Sequence, residues 1–532
     1  MARYCPGMKR IDRREFLSRG AALAGGIAGA RLLAACGSEA PSRQASAADI
    51  KELAAALQGE VVVPDAPGYK AARLVWNARY DDARPAAVIR VADAADVRTA
   101  VDFARDHDLR LAVRSGGHSF AGYSTGDGLV LDLNRLTAVE VEPGGERARL
   151  GAGATVLPTY RGLWREKMAI SGGTCPTVGV TGLTAGGGLG VLSRRHGLTC
   201  DNLIEVEIVT ADGRLVRANE RDDADLYWAT RGGGGGSFGV ITALSFGLVP
   251  VDTTFTHTEY AFPWSAAESV LAAWQEWLPA SPPETWSAVE LTTQAPQGDP
   301  PPSVGIELVH AGTPRELDSI AADLLDGVGV APTETITSSG PFVDVELDFY
   351  CQGLRPKECT VAGTTPSGAV PRAALHSKSD VAAGPWPRAG LSTLAEWIER
   401  RQRDRTLTPR RFSPTHTIGK VLIEAADGAV NSIASDATAF VHRDNLFVAQ
   451  YQARWRHDAS PDTVDANLEW TDGLYSAVEP YRSGFGYQNY IDSDLEDWEQ
   501  AYYGANLARL REVKSQYDPD DFFSFAQSIP PA

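Results

Sequence analysis

The sequence has few of the residues that build metal sites and nucleic-acid surfaces. Only six cysteines occur among 532 residues. None form a C-x-x-C pair or a paired His/Cys cluster, so no metal site is expected. No basic run lies beyond the N-terminus, and the formal net charge is −18. Because binding to a phosphate backbone needs clustered Lys and Arg, nucleic acid is not an expected partner.

The N-terminal apolar stretch is also too short to hold the chain in a membrane. Residues 20–30 are mildly apolar and rich in Ala and Gly, which is insufficient to span a bilayer. They follow the twin-arginine sequence Arg13-Arg14-Glu15-Phe16-Leu17, so we interpret residues 1–47 as a twin-arginine signal peptide. Leu33-Ala34-Ala35-Cys36 resembles a lipoprotein box, and Ala45-Ser46-Ala47 offers a rival cleavage site. The expected location is the cell envelope, with a lipid anchor at Cys36, or the exterior as a secreted protein.

Glycine, by contrast, is abundant and clustered. The chain has 52 glycines, including the runs at residues 186–188 and 232–236. These runs adjoin strand-like segments such as residues 240–244 rather than polar linkers. The pattern indicates backbone that approaches something large, or backbone at positive φ.

The first half of the chain opens with a β-α-β pattern. Residues 85–91 predict a strand, residues 94–106 a helix with one apolar face, and residues 111–114 a second strand. This opening delivers the chain to a turn at Gly116-Gly117-His118. Further strands are predicted at residues 128–133, 148–153, 203–209 and 215–218.

The texture changes near Val249-Pro250, where glycine becomes rarer and alternating, aromatic-rich strands appear. Strands are predicted at 255–260, 304–309 and 446–453, with helices at 265–277, 391–401 and 461–474. A long helix is predicted over residues 495–517. We expect an α+β protein of two domains, 48–250 and 251–480. A C-terminal segment, 481–532, is expected to return to the first domain.

Three stretches carry the chemistry. They are Arg114-Ser115-Gly116-Gly117-His118-Ser119, the glycine-rich path from Ser171 to Gly188, and Gly197-Leu198-Thr199-Cys200-Asp201-Asn202. A flavin is large, planar and carries a pyrophosphate, so it needs backbone N–H groups at close range. The first stretch can form such a nest, with His118 poised for one covalent bond and a thiolate at Cys200 for a second.

These stretches, with Gly-Gly-Gly-Ser-Phe-Gly-Val at residues 234–240, resemble the berberine bridge enzyme-like oxidases of the vanillyl-alcohol oxidase superfamily. The resemblance extends to Tyr487-Gln488-Asn489-Tyr490-Ile491-Asp492 and to residues 502–519, so it covers nearly the whole mature chain. It implies a PCMH-type FAD-binding domain followed by a substrate domain with a large antiparallel sheet flanked by helices. It also implies FAD joined to His118 and Cys200. Thr181 and Leu183 depart from the commoner Gly and His.

The remaining cofactor contacts are expected along the same segments. They are Arg114, Ser115, Gly116, Gly117, Ser119, Ser124, Pro176, Thr177, Gly179, Gly182, Gly186, Gly187, Asp201, Gly239, Val240 and Asn489.

Hydride removal from an alcohol carbon needs a base for the hydroxyl proton. The resemblance points to a tyrosine over the flavin, and Tyr490 is the candidate, with Tyr487 as a substrate-contacting or supporting residue. No carboxylate is evident in that element, which favours an alcohol or a sugar hemiacetal as substrate. Gln450 and Gln452 share one strand face, so one of them could point into the pocket; a polar group satisfied within the sheet is an equal reading.

We therefore predict an exported FAD-dependent oxidase that passes electrons to O2 and gives H2O2. An O2-insensitive dehydrogenase of natural-product biosynthesis and a non-catalytic small-molecule-binding flavoprotein are the alternatives. The expected partners are a small-molecule substrate and O2, and the expected state is a monomer or dimer. A disulfide between Cys351 and Cys359 is permitted outside the cytosol, and Cys175 is expected to be a small buried residue beside the cofactor.

Overall fold

The computed structural model describes residues 45–294, 300–351, 353–404 and 419–532. Most of the predicted signal peptide, including Cys36, lies outside the described residues. The described part begins with a capped helix, because Ser46 Oγ accepts from the Asp49 amide and Asp49 Oδ2 accepts from the Ser46 amide. Ser46 belongs to the rival cleavage site, so the folded chain already uses a residue of that site.

The strands are numbered in chain order. They are β1 Glu60–Val62, β2 Ala87–Arg90, β3 Leu111–Arg114, β4 Leu129–Asp132, β5 Val139–Val141, β6 Arg147–Gly151, β7 Met168–Ala169, β8 Leu203–Val209, β9 Leu215–Asn219, β10 Val240–Gly247, β11 Val249–Pro250, β12 Phe255–Phe262, β13 Thr285–Thr292, β14 Ser303–His310, β15 Glu334–Gly340, β16 Ala374–Ala382, β17 Gly419–Ala425 and β18 Phe447–Trp455.

The α-helices are Ala47–Ala56, Tyr69–Ala72, Ala94–Asp106, Val156–Leu163, Val180–Ala185, Ser193–His196, Ala224–Ala229, Ala267–Trp277, Pro314–Val328, Phe342–Cys351, Arg388–Arg403, Pro461–Ala477, Trp498–Tyr503 and Leu507–Tyr517. Short 3-10 turns include Thr199–Asn202 and Gln488–Tyr490.

Two larger sheets lie in the N-terminal half, beside a small two-stranded sheet of β7 and β11. The first has the order β1-β2-β4-β3, and its strands β2, β4 and β3 are parallel. Val88, Ile89 and Val130 are completely buried, as expected for parallel strands covered on both faces. The second sheet is antiparallel, in the order β5-β6-β10-β8-β9. The β-α-β prediction is confirmed, with the helix at Ala94–Asp106 as expected.

One seven-stranded antiparallel sheet dominates the second half, in the order β15-β12-β14-β13-β17-β18-β16. One face packs on helices; for example, Trp274 Nε1 of helix Ala267–Trp277 donates to Ser287 Oγ at 2.9 Å. The other face is polar. It carries Glu307 of β14, Glu424 of β17 and Gln450 of β18, which alternation places on one side. The α+β architecture with a large antiparallel sheet is confirmed.

The C-terminal segment contacts the first half of the chain. The buried ammonium of Lys514 donates to the Ser237 carbonyl at 2.9 Å, and the Ile529 amide donates to Ser237 Oγ at 3.2 Å. The prediction of a single long helix over residues 495–517 is wrong. This stretch is divided into Trp498–Tyr503 and Leu507–Tyr517 by Gly504, whose φ is +47°. Glycine tolerates this left-handed conformation, which ends a helix.

Cys351 and Cys359 form a disulfide, with their Cα atoms 5.7 Å apart. Both cysteines are buried beside Leu157. Within the described residues, none of the helices combines the length and apolar character needed to cross a bilayer.

Candidate active site

Two glycines let the first turn meet the glycine-rich path. A Cβ on Gly116 would lie 2.2 Å from the Gly179 nitrogen, and one on Gly179 would lie 2.3 Å from the Gly116 nitrogen. No side chain fits at either position, so the two backbones run against each other. Gly117 has φ +69°, which turns the chain so that His118 follows directly.

Two predicted contacts of this turn serve the protein itself. The Arg114 guanidinium pairs with Asp132 at 2.8 Å, and both side chains are 3% exposed. Ser115 Oγ donates to the Ala152 carbonyl at 2.6 Å. Arg114 and Ser115 therefore anchor the turn to the neighbouring sheets, while Ser119 Oγ accepts from the Tyr123 amide at 3.1 Å.

His118 lies partly exposed at the end of the turn. Its ring stacks on Trp76, with centroids 4.8 Å apart, and Nε2 is 2.8 Å from Thr177 Oγ1. Burial lowers the pKa of His118 to about 3. The imidazole is therefore neutral and keeps a nitrogen lone pair.

The cysteine that lies beside His118 is Cys175. Its sulfur is 3.9 Å from Thr177 Oγ1, so the thiol and the imidazole flank one hydroxyl group. Cys175 is partly exposed and has no disulfide. Cys175 directly follows Gly172-Gly173-Thr174. Its position in the glycine-rich path was therefore a sign, visible in the sequence, that it could belong to the site.

Cys200, predicted as the second attachment point, has a different setting. It is 0% exposed and packs in an apolar cluster with Leu189, Phe440 and Tyr487. Burial and the adjacent Asp201 carboxylate raise the pKa of its thiol, and Asp201 itself pairs with Arg443 at 2.7 Å. None of the contacts recorded for Cys200 within the described residues joins it to His118 or Thr177. The described contacts therefore group Cys175, and not Cys200, with His118, and the attachment at Cys200 stays a prediction.

Tyr487 braces the glycine-rich path. Its hydroxyl accepts from the Gly188 amide at 3.0 Å, the Leu189 amide at 3.1 Å and Asn489 Nδ2 at 2.9 Å. Despite these hydrogen bonds, burial raises the pKa of Tyr487 to about 12. A hydroxyl so occupied is a support and not a base.

Asn489 makes this brace continuous with the path. Its Nδ2 also donates to the Leu183 carbonyl at 2.9 Å, and a Cβ on Gly186 would lie 2.1 Å from its Oδ1. Gly187 has φ +116° and packs on Phe440. The predicted contacts Gly186, Gly187 and Asn489 therefore form one unit.

Tyr490 meets a carboxylate that sequence reasoning missed. Its hydroxyl donates to Glu424 Oε2 of β17. Burial, followed by the charge of Glu424, raises the pKa of Tyr490 well above the usual value. Burial also raises the pKa of Glu424, although the hydrogen bond from Tyr490 opposes this rise. The signal was weak: a glutamate at an interior position of a predicted β-rich region, 66 residues before Tyr490 in the sequence.

Aromatic rings hold Tyr490 from two sides. Phe120, two residues after His118, contacts it edge-on with centroids 5.7 Å apart, and Tyr487 does so at 5.0 Å. The His118 turn, the C-terminal segment and the large sheet therefore converge on this side chain.

Several buried polar atoms near the turn fit an oxygen-rich ligand. The hydroxyls of Tyr123, Ser124 and Thr125 find no hydrogen-bond partner within the described residues. Buried polar groups are normally paired, so three adjacent ones suit a ligand with many acceptors. A Cβ on Gly182 would meet nothing within 4 Å, which leaves room beside the path. These features fit FAD.

Three other predicted contacts, Pro176, Gly239 and Val240, make close contacts within the protein. The Pro176 carbonyl accepts from the Leu157 amide at 3.1 Å. Gly239 has φ +148° and a Cβ there would lie 2.5 Å from the Val209 carbonyl; Val240, at the start of β10, is completely buried. Gly239 therefore lies tightly against β8, and Val240 is part of the core.

Two groups of residues in the described chain could offer three ligand atoms each to an ion: His257, Glu259, Glu307 and His376, Asp492, Asp494. In the second group, Arg79 Nη1 is 3.1 Å from His376 Nδ1. A guanidinium only donates, so Nδ1 accepts and the ring proton lies on Nε2. Lys378 pairs with Asp492 at 2.8 Å, which makes this group an ion-pair network.

Known protein families match parts of this chain. Residues 85–219 match the family described as FAD binding domain, and residues 486–530 match the family described as berberine and berberine like. An uncharacterized FAD-linked oxidoreductase of Bacillus subtilis, YgaK, is 31% identical over 89% of this chain and 97% of its own length.

Two solved structures share the fold over most of both chains. The berberine bridge enzyme-like protein 1 of Physcomitrella patens is 28% identical, with a TM-score of 0.80 over 91% of this chain and 99% of its own. The xylooligosaccharide oxidase of Myceliophthora thermophila, solved with xylobiose, is 26% identical, with a TM-score of 0.78 over the same shares.

Proposed function

The chain belongs to the berberine bridge enzyme-like FAD-linked oxidoreductases, and we propose that it oxidises an alcohol or a sugar hemiacetal with Tyr490 as the base. The observation that carries this proposal is the hydrogen bond from Tyr490 to the buried Glu424. The FAD-dependent oxidoreductase class follows from the family; the substrate, the tethers and the product are the proposed part.

Tyr490 and Glu424 act as one proton acceptor. A tyrosine whose pKa is raised by burial does not ionise by itself near neutral pH. As the substrate hydroxyl gives its proton to the Tyr490 oxygen, Tyr490 gives its own proton to Glu424 Oε2. The raised pKa of Glu424 makes it a stronger base than an ordinary carboxylate. FAD, when bound, would supply the acceptor for the hydride and the route of the electrons to O2, with H2O2 as product.

The polar sheet face supports a hydroxyl-rich substrate. Glu290 and Lys420 form an ion pair on it, and burial together with Glu290 raises the pKa of Glu307 to about 8. The solved xylooligosaccharide oxidase shares this fold. A carbohydrate or a glycosylated natural product is therefore the proposed substrate class.

We propose His118 and Cys175 as the two covalent tethers of FAD, because both contact Thr177. Acid-denatured wild-type protein should retain its flavin in the pellet. His118→Ala and Cys175→Ala should each retain flavin through the other bond, and the double variant should release it. The His118→Ala/Cys200→Ala double variant is the matched control and should keep its flavin in the pellet; flavin release from this variant, but not from His118→Ala/Cys175→Ala, would refute the assignment.

Export is also proposed, on the twin-arginine sequence and the bridged Cys351–Cys359 pair. Because Ser46 caps the first helix, processing at Cys36 is favoured over cleavage after Ala47, which would remove the cap. Intact mass of the mature protein decides between these sites. A panel of sugars and alcohols assayed for H2O2 tests the reaction, and slow reoxidation of reduced protein in air would identify a dehydrogenase instead.

A further inference from the structure

Three side chains of β18 form a one-way chain of hydrogen bonds. Arg454 Nη2 and Nε donate to Gln452 Oε1 at 2.8 and 3.1 Å. Gln452 Nε2 donates to Gln450 Oε1 at 2.6 Å. Gln450 Nε2 ends the chain, and it has no hydrogen-bond partner within the described residues although Gln450 is only 2% exposed.

We propose that Arg454 and Gln452 are positioning residues that hold Gln450 as a hydrogen-bond donor to an oxygen of the substrate. The inference rests on the proposed function, since it concerns substrate recognition at that site. Arg454 and Gln452 would thus help to determine substrate specificity without contacting the substrate.

The arginine sets the direction of the whole chain. A glutamine side chain can present either its oxygen or its NH2 group to a neighbour, whereas a guanidinium has only donors. Arg454 therefore requires the oxygen of Gln452, which turns the NH2 of Gln452 toward Gln450. Gln450 must accept with its own oxygen, so its NH2 points away from the chain. Without the arginine, both amides could turn over and Gln450 could present an acceptor instead.

The sheet register places this donor on the active-site face. Gln450 lies opposite Leu422, two residues from Glu424, and opposite Ser379 on its other side. Ser379 Oγ accepts from the Tyr487 amide at 3.0 Å, so the Tyr487–Tyr490 turn covers this level of the sheet. A buried donor without a partner is costly, and a hydroxyl or carbonyl oxygen of the ligand satisfies it.

Exchange of one amide tests the direction of the chain. In Gln452→Glu, the carboxylate still accepts from Arg454 but can no longer donate. Gln450 must then turn over, donate to residue 452 and present its oxygen to the substrate. Gln450→Glu presents an acceptor directly. Both variants should lower kcat/KM by roughly 10- to 100-fold, the size expected when a donor is replaced by an opposing acceptor. The substrate is the fastest one from a panel of glucose, xylobiose, cellobiose and benzyl alcohol.

Gln275 provides the matched control. It is a buried amide with both ends paired to Trp386, at 2.8 and 3.0 Å. Gln275→Glu should lower the unfolding temperature and leave kcat/KM within twofold. Gln452→Glu should lower kcat/KM and leave the unfolding temperature near that of the wild type. A substrate titration followed by flavin absorption should show that this variant binds substrate more weakly.

The possible outcomes distinguish a failure of the positioning role from a failure of the proposed function. Gln452→Glu with wild-type kcat/KM, beside a wild-type enzyme that makes peroxide, would overturn the positioning role alone. Variants whose flavin spectrum shifts without substrate while KM stays constant would show that the donor serves the flavin, which also overturns it. A wild-type protein that makes no peroxide from any compound of the panel would overturn the proposed function and, with it, this inference.

Discussion

Replacing Glu424 by glutamine removes a proton acceptor while keeping the shape of the side chain. The amide oxygen can still accept the hydrogen bond of Tyr490, so the site should keep its structure. The proton of Tyr490 then has no base to receive it. General-base assistance is worth about a hundred- to ten-thousand-fold in rate, and Glu424→Gln should lose an amount in this range in the rate of anaerobic flavin reduction by substrate.

The pH dependence gives the sharper reading. In wild type, the rate should rise with pH as Glu424 ionises, at a value above the ordinary glutamate range because burial raises the pKa of Glu424. In Glu424→Gln, Tyr490 itself must ionise, and burial holds the pKa of Tyr490 well above its usual value. The rising limb should therefore move to strongly alkaline pH.

A double variant completes the test. Residues that act as one unit are not additive, so Tyr490→Phe with Glu424→Gln should be no slower than Tyr490→Phe alone. Stopped-flow measurement of flavin reduction gives all three rates at saturating substrate. The reasoning fails if Glu424→Gln stays within threefold of wild type with an unchanged pH profile.

Three further predictions concern stability and flavin binding. Replacing Cys351 and Cys359 by serine opens a loop of sequence separation 8 and should cost about 2–3 kcal/mol in the free energy of unfolding; an unchanged denaturation midpoint would contradict it. Burial raises the pKa of Asp380 to about 7, so wild type should lose stability as pH rises from 4 to 7. The variant Asp380→Asn should not, by a difference on the order of a few kcal/mol, and parallel denaturation curves for the two proteins would refute this. Gly116→Ala places a methyl group 2.2 Å from the Gly179 nitrogen and should yield protein without bound flavin, as its absorption spectrum would show.

Secondary structure was predictable from the sequence where neighbouring residues alone determine it. The helix at Ala94–Asp106 combines an apolar face with an Asp93 cap whose side chain accepts from two backbone amides, and sequence gave its bounds directly. The helix expected over residues 495–517 failed because the apolar spacing on both sides of Gly504 resembles one continuous helix. Only the positive φ of that glycine breaks it.

The site was harder to predict because its partners are distant in the sequence. Glu424 and Tyr490 belong to different parts of the chain, and the hydrogen bond between them joins β17 to the C-terminal segment. Cys175 and Cys200 are alike in a sequence: each follows a threonine and lies near glycines. What separates them is that Thr177 connects one of them to His118, whereas the other is enclosed by Leu189 and Phe440.

The segment with Tyr487, Asn489 and Tyr490 follows β18, the last strand of the large sheet, in the chain. Until this segment docks, the glycine-rich path lacks its hydrogen bonds to Tyr487, and Glu424 lacks the tyrosine that donates to it. We therefore expect a polypeptide truncated before this segment to be inert, because the Tyr490–Glu424 pair assembles only when the segment packs on the sheet.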